Sequence, residues 1–374
     1  MGQTTPTLQG SYSIWSSILN ALNSYRTVVK AALASVLQSG FDSVSRERAA
    51  AQLETNLWLS SEFFSDSACR LYMETAVELL RSDNVDVPKL LGKANQLALT
   101  ATSMNMVLLS LNQDIAWSTN REITSHGLFK SFRFWSIEER KKYLESANDL
   151  LNVIKERFPL VVFGYGIALG FQRSGDLIPH DDDVDILVVV EAEAYASLTE
   201  ALAELSAHLA SRGYFLYGKW PGHRKAARSR EIKDVDVFVG IKEGDFLSFI
   251  PGPRKKIKYS DVFPAVVRTV SETPIPLPSN IEGYLGAVYG IDWREPQPGW
   301  QHNWSLAEYT DVLSPTLPDF PFQADRLMSR GYQWVVLDEN NSILSLHTDK
   351  PDHTGAVELR KLRDEEVEVG LIRP

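Results

Sequence analysis

The 374-residue chain contains a single cysteine, Cys69, so an intrachain disulfide framework and a cysteine-based zinc cluster are both excluded. That scarcity fits a reducing compartment. No run of 18 or more apolar residues occurs. The nearest, Leu97–Leu111, is interrupted by Thr100, Thr102, Ser103, Asn105 and Ser110 and reads as a buried helix rather than a membrane span. No opening segment joins a basic start, an apolar core and a small-residue cleavage site, so no signal peptide is expected. Gly2 is followed by Pro6 where a myristoylation motif needs Ser or Thr. The expectation is a cytoplasmic protein with no transmembrane segment, still open to peripheral association with a membrane. Basic charge is also short, with 38 Lys and Arg against 48 Asp and Glu for a net charge of −10. A nucleic-acid partner is therefore not expected, because phosphate backbones select a broad basic field. Apolar side chain is plentiful, at 44% hydrophobic against 23% charged residues, which excludes wholesale disorder. At about 150 residues per domain the length suggests two or three domains.

Three regions differ in pattern. Residues 1–130 read as a helical N-terminal domain. Ile14, Ile18, Leu19, Leu22 and Tyr25 form an apolar stripe that continues through Val28, Val29, Leu33, Val36 and Leu37 to a stop at Gly40. A second helical block spans Ser45–Arg81 with a break near Ser60, and a third runs from Pro88 to about Trp117. The polar segment Trp117–Trp135 reads as a linker. Residues 131–312 read as a mixed α/β domain. Ser136 with Glu139 forms a capping box for a helix that Pro159 ends. Strands are expected at Leu160–Phe163, Val184–Val190, Tyr214–Tyr217 and Val235–Val239, with a helix over Ala192–Arg212. In the last region, 313–374, Trp334–Leu337 and Ile343–Leu346 flank a polar turn and predict a β-hairpin.

Asp181-Asp182-Asp183-Val184-Asp185 leads into an apolar strand. Side chains alternate across a strand, so Asp183 and Asp185 share a face. Carboxylates so close repel each other and raise each other's pKa unless a cation sits between them. About 50 residues on, Asp234-Val235-Asp236 opens a second strand, and Asp236 completes a three-carboxylate site if the strands are neighbours. A hard divalent ion, Mg²⁺ with Mn²⁺ as the alternative, suits an all-oxygen site. Mg²⁺ takes its other ligands from water and phosphate, so the pattern points to metal-assisted phosphoryl or nucleotidyl transfer. The spaced ligands of a helix-flanked calcium loop are missing. Gly164-Tyr165-Gly166-Ile167-Ala168-Leu169-Gly170 is one residue longer than the dinucleotide fingerprint, and the acids precede their strand where that fold needs one after it.

Gly166-Ile167-Ala168-Leu169-Gly170, Arg173 and Ile178-Pro179-His180-Asp181-Asp182-Asp183-Val184-Asp185-Ile186 together resemble the LicD/fukutin-type family of phosphotransferases, in the nucleotidyltransferase superfamily. Asp234–Phe238, Asp261–Pro264, Leu277–Leu285 and Tyr289–Trp293 with Pro296 follow in the family's order, so the resemblance covers about 160–300. Ile167 stands where the family commonly has Thr, and His180 where it commonly has Trp. The resemblance implies an α+β fold: a nucleotidyltransferase-like mixed sheet core, here between the helical N-terminal domain and a small β-rich tail. It implies transfer of a choline, ribitol or glycerol phosphate group from a CDP-linked donor to a hydroxyl of a sugar or glycan, with release of CMP. Asp183, Asp185 and Asp236 would be the catalytic and metal-binding residues. Gly166, Arg173, His180 and Asp182 would contact substrate. The clusters His223-Arg224-Lys225 with Arg228, and Arg254-Lys255-Lys256, offer cations for a diphosphate or an anionic acceptor, so Arg224, Lys225 and Arg228 join the substrate set. The alternatives are a nucleotidyltransferase that uses a nucleoside triphosphate and a non-catalytic scaffold that keeps the fold.

Overall fold

The computed structural model describes residues 9–60, 67–82, 84–124, 126–195, 197–218, 222–228, 233–296, 302, 304–313, 327–328, 331–337 and 343–363. The chain divides into two units, one of Met1–Trp135 with Pro179–Asp182 and Pro296–Trp300, the other of Ser136–Ile178, Asp183–Glu295 and Gln301–Pro374.

The first unit is helical: α1 (Gln9–Gln38), α2 (Ser43–Ser60), α3 (Ser67–Ser82), α4 (Val87–Gln96) and α5 (Ala101–Asp114). Leu22, Val29, Leu33 and Val36 of the predicted stripe are buried, whereas Leu37 is half exposed; the side chains of Ile14, Ile18 and Leu19 lie outside the described residues. Gly40 stops α1 in a left-handed turn at φ +71°, as its position suggests. Two expectations fail here. The helix expected from Pro88 to Trp117 is broken into α4 and α5, because Ala98 takes a left-handed turn (φ +51°) and the Thr100 hydroxyl caps α5 by accepting from the Ser103 N–H. The segment expected as a linker instead holds a short hairpin, β1 (Glu122–Thr124) against β2 (Gly127–Phe129), which buries Ile123 and Leu128 in the helical core.

Asp114, at the end of α5, is buried and accepts from the Arg26 guanidinium at 2.6 and 2.9 Å and from the Tyr72 hydroxyl at 2.9 Å. Burial pushes its carboxyl up, but the Arg26 and Tyr72 hydrogen bonds outweigh it and hold the group below its ordinary value. A carboxyl depressed on folding contributes stability above its unfolded pKa of about 3.9, lost as pH falls through the folded value. Asp114→Asn is therefore expected to destabilise this unit by about 3 kcal/mol near neutrality, with the gap closing in acid. Urea unfolding at pH 7 and pH 3 measures it, and an equal loss at both would refute the assignment.

The second unit is built on a mixed sheet in the order β3 (Leu160–Gly164), β4 (Asp185–Glu191), β7 (Val235–Glu243), β6 (His223–Ala227), β5 (Phe215–Tyr217). Only β4 and β7 run parallel among these pairs. Residues Ile186–Val190 of β4 are buried, as its continuous apolar run requires of a central strand. The sheet extends through β8 (Phe246–Ser248) and β9 (Ile257–Lys258). Helix α6 (Ile137–Lys155) starts at the predicted Ser136/Glu139 capping box, with both reciprocal hydrogen bonds formed. Helix α7 (Tyr165–Ser174) follows β3 directly, and α8 (Leu198–Ala210) starts at Ser197, later than expected, after a single 3₁₀ turn over Ala192–Ala194. Strand β6 was not expected, because a basic run lacks the apolar alternation that marks strands. A single turn of helix, α9 (Tyr259–Val262), and a hairpin of β10 (Val266–Val270) and β11 (Thr273–Leu277) lead to α10 (Ile281–Tyr289). The predicted C-terminal hairpin is present as β12 (Trp334–Leu337) and β13 (Ile343–His347), joined by β14 (Ala356–Glu358). Ala203 of α8 shares a buried cluster with Val335, Leu337, Leu346 and Leu359 of this segment. The mixed α/β architecture expected from the sequence is thus present. No helix among the described residues is long and apolar enough to cross a membrane.

Candidate active site

Register brings the acids together. Asp185 begins β4 and stands opposite Asp236 on β7, and Lys225 of β6 stands opposite Asp236 from the other side. Directly opposed residues share a sheet face. Asp183, two residues before Asp185, reaches the same place, so that one ligand oxygen from each of Asp183, Asp185 and Asp236 lies within 4.8 Å of the others. Asp183 and Asp236 are only 8% and 4% exposed. Three carboxylates this close, two of them out of water, repel strongly unless a cation neutralises them. The donor set is all carboxylate oxygen, with no thiolate or imidazole, and so fits Mg²⁺ or Mn²⁺.

Local sequence fixes the neighbouring backbone. Gly164 closes β3 opposite Asp185. Tyr165 then turns sharply at φ +44°, a strained conformation for a side chain with a Cβ, and α7 begins. The turn directs the Gly166 N–H at Asp185 Oδ2, 3.4 Å away, and places a helix N-terminus beside the acids. Tyr284 of α10 locks the turn by accepting from the Tyr165 N–H at 2.9 Å.

Asp236 is held on both oxygens. His223 Nε2 lies 2.5 Å from Oδ1 and Lys225 Nζ 3.2 Å from Oδ2. Burial pushes its carboxyl up, but His223 and Lys225 together outweigh burial and hold it low. The His223 ring stacks on Phe238 at 4.4 Å, which fixes the imidazole. From α6, the buried Tyr143 hydroxyl donates to the Asp234 carbonyl at 2.8 Å; burial, then the charges of Asp183 and Asp236, push its pKa well up.

The other expected site residues fall in different places. Lys225 joins the acids. Arg224 is opposite Val237 and so on the other face of the sheet, where its guanidinium donates to the His223 carbonyl at 2.7 Å. Arg228 lies over the Tyr214 ring at 5.2 Å and lines a small cavity with Ser146 and Leu150 of α6. Arg173 donates to the carbonyls of Trp293 and of Glu295 (3.1 Å), tying α7 to the segment after α10. Arg254 is held by Glu243 at 2.7 Å and by Asp311. His180 and Asp182 group with the first unit, where Asp182 lies 2.9 Å from His126 Nδ1 and 3.3 Å from the Thr124 hydroxyl. His223, named from the sequence only as part of the basic cluster and not as a site residue, is brought to the acids by β6, a strand that no period in the sequence reveals.

Residues 161–280 match the family described as LicD/FKTN/FKRP, nucleotidyltransferase domain. This segment is similar to LicD-type domains. It spans β3 to the residue before α10, so the three acids, the α7 N-terminus and β6 all lie inside it. The LicD family is one of transferases, and the match supports a phosphotransferase-type role on glycans. No curated protein matches the chain. Among solved structures, ANT(2″)-Ia in complex with adenylyl-2″-tobramycin is similar at 15% identity over 46% of this chain and 86% of that chain, with a TM-score of 0.29, too low to carry an argument.

Proposed function

We propose that the LicD-type domain transfers a phosphorylated alcohol of the choline, ribitol or glycerol type from a CDP-linked donor to a hydroxyl of a sugar or glycan. The observation that carries this reading is the meeting of Asp183, Asp185 and Asp236 beside the α7 N-terminus. Asp183, Asp185 and Asp236 would hold Mg²⁺, with Mn²⁺ as the alternative, and the ion when bound neutralises charge on the donor diphosphate. The Gly166 N–H and the positive end of α7 suit a phosphoryl oxygen. In the transfer, the acceptor oxygen forms a bond to the alcohol-bearing phosphorus, the bridging P–O bond breaks, and CMP leaves with the electron pair. The acceptor proton goes to a carboxylate of the cluster or to water. His223 and Lys225 keep Asp236 ionised and oriented, which suits it to ligation better than to proton abstraction. A loose phosphoryl-transfer transition state asks little of a base. Lys225, whose side chain is still partly exposed, can follow charge as it shifts onto CMP.

Incubation with CDP-choline, CDP-ribitol and CDP-glycerol, Mg²⁺ and a mixture of glycans tests the reading. CMP release that depends on the acceptor and on the metal is expected with one donor. Release of pyrophosphate from a nucleoside triphosphate would instead indicate nucleotidyl transfer.

A further inference from the structure

The row of residues that carries the acids does not end at Lys225. Lys225 stands opposite Tyr217 on β5, the last strand of the sheet. Asp185, Asp236, Lys225 and Tyr217 therefore form one row on one face. Phe215, two residues from Tyr217, shares that face, and its ring lies 6.0 Å from the Tyr217 ring at 33°. Both side chains are open to solvent, Phe215 at 56% and Tyr217 at 40%. Core packing therefore does not account for them, and an exposed aromatic pair beside polar groups is a common form of ligand surface. The polar groups are present. The Tyr217 hydroxyl donates to the Asp234 carboxylate, and Asp234 has the parity of Asp236. Partial burial and that carboxylate push the hydroxyl up to about 12, so it stays a donor at ordinary pH. Flat apolar rings next to a fixed hydroxyl and a carboxylate match a sugar ring, which offers an apolar C–H face and a rim of hydroxyl groups.

Position selects the ligand, on the reading given above. The row has a phosphate end, where the Gly166 N–H meets Asp185, and an edge end at β5. Attacking and leaving oxygens lie in line in phosphoryl transfer, so a diphosphate seated near α7 leaves the edge end to the acceptor. Adjacent strands are about 4.8 Å apart, which puts β5 about 10 Å from β7, so a sugar seated at the edge lies along the same row as the acids. We propose that Phe215 and Tyr217, with Asp234, form the acceptor subsite, which stacks a sugar ring and presents one of its hydroxyl groups to the acid cluster.

The full chain is compared with Phe215→Ala/Tyr217→Ala and Tyr217→Phe by saturation-transfer NMR. The probes are the methyl glycosides of galactose, glucose, mannose and N-acetylgalactosamine, each without donor. Saturation transfer to at least one probe is expected in the parent chain. It should fall ten-fold or more in the double variant and partly in Tyr217→Phe, which keeps the ring. Thermal unfolding of the variants should be unchanged, because the rings are exposed. Three results would overturn the proposal: no probe bound by the parent, full binding by the double variant, or loss of CDP-donor binding in place of sugar binding, which would make the rings a nucleobase platform. Parallel CMP-release assays separate this inference from the reading it rests on. Sugar binding lost in the double variant, with no CMP released by the parent from any donor, would keep the subsite and reject the reaction. Acceptor-dependent CMP release with an unchanged acceptor KM in the double variant would keep the reaction and reject the subsite.

Discussion

Asp185→Asn lowers turnover by about 10³-fold or more and raises stability in the absence of metal; these two opposite signs are the expected result. The amide keeps the shape of the side chain, and its oxygen can still accept from the Gly166 N–H. What disappears is one of three negative charges packed within 4.8 Å. A site that concentrates like charge is strained until its ligand arrives, so neutralising one member relieves the sheet and disables the chemistry together. In chelator the variant should melt higher than the parent. With Mg²⁺ and a CDP-linked donor the order should reverse, because a ligand at 100 times its Kd adds about 2.7 kcal/mol to a protein that binds it. Rates of CMP release and melting curves with and without metal measure both effects. Full activity in the variant, or a lower melting point in chelator, would remove the acids from the proposed role.

Gly164→Ala is the second large effect, and it acts through packing. A Cβ at this position would lie 2.3 Å from Leu187 Cδ1, 2.7 Å from Leu187 Cγ and 2.8 Å from the Tyr284 hydroxyl. Leu187 and Tyr284 are both fully buried, so neither can swing aside. Overpacking of this kind costs about 1–3 kcal/mol. The loss should also reach activity, because Gly164 is opposite Asp185 and the displaced Tyr284 hydroxyl holds the Tyr165 N–H. Gly286→Ala serves as the comparison. It sits inside α10, where an added methyl would meet nothing within 4 Å, and alanine there should be neutral or stabilising by up to about 1 kcal/mol. Urea unfolding of the two variants gives the contrast, and equal midpoints would show that the close packing at Gly164 yields easily.

The acids were legible in the sequence because strand periodicity is strict. Asp183 and Asp185 share a parity, and an apolar β-branched run admits few alternatives to a central strand. Asp236 was legible because it opens a second run of the same kind. The capping box at Ser136 was legible because it is local chemistry. The rest depended on tertiary context. Strand β6 reads as a loop from His223-Arg224-Lys225 because its polar face is turned to the site and has no apolar signature to show. The hairpin at Glu122–Phe129 consists of two three-residue strands, too short for any period to emerge. The break between α4 and α5 rests on a left-handed Ala98, which sequence gives little reason to expect. Arg173 is the instructive case: a guanidinium near a glycine turn and an acidic run has the same sequence whether it faces phosphate or, as here, backbone carbonyls.

The parallel pairing of β4 with β7 also bears on how the protein folds. Asp185 and Asp236 are 236 − 185 = 51 residues apart, and α8, β5 and β6 lie in the chain between them. Closing so long a loop is slow, because the entropy is lost before the pairing returns anything. The last step also drives like charges together, adding an electrostatic barrier to the entropic one. A divalent cation that lowers the energy of the finished site would lower this barrier as well, to the extent that the acids have converged in the transition state. The register that assembles the site is then also the point at which ionic conditions govern how fast the sheet is completed.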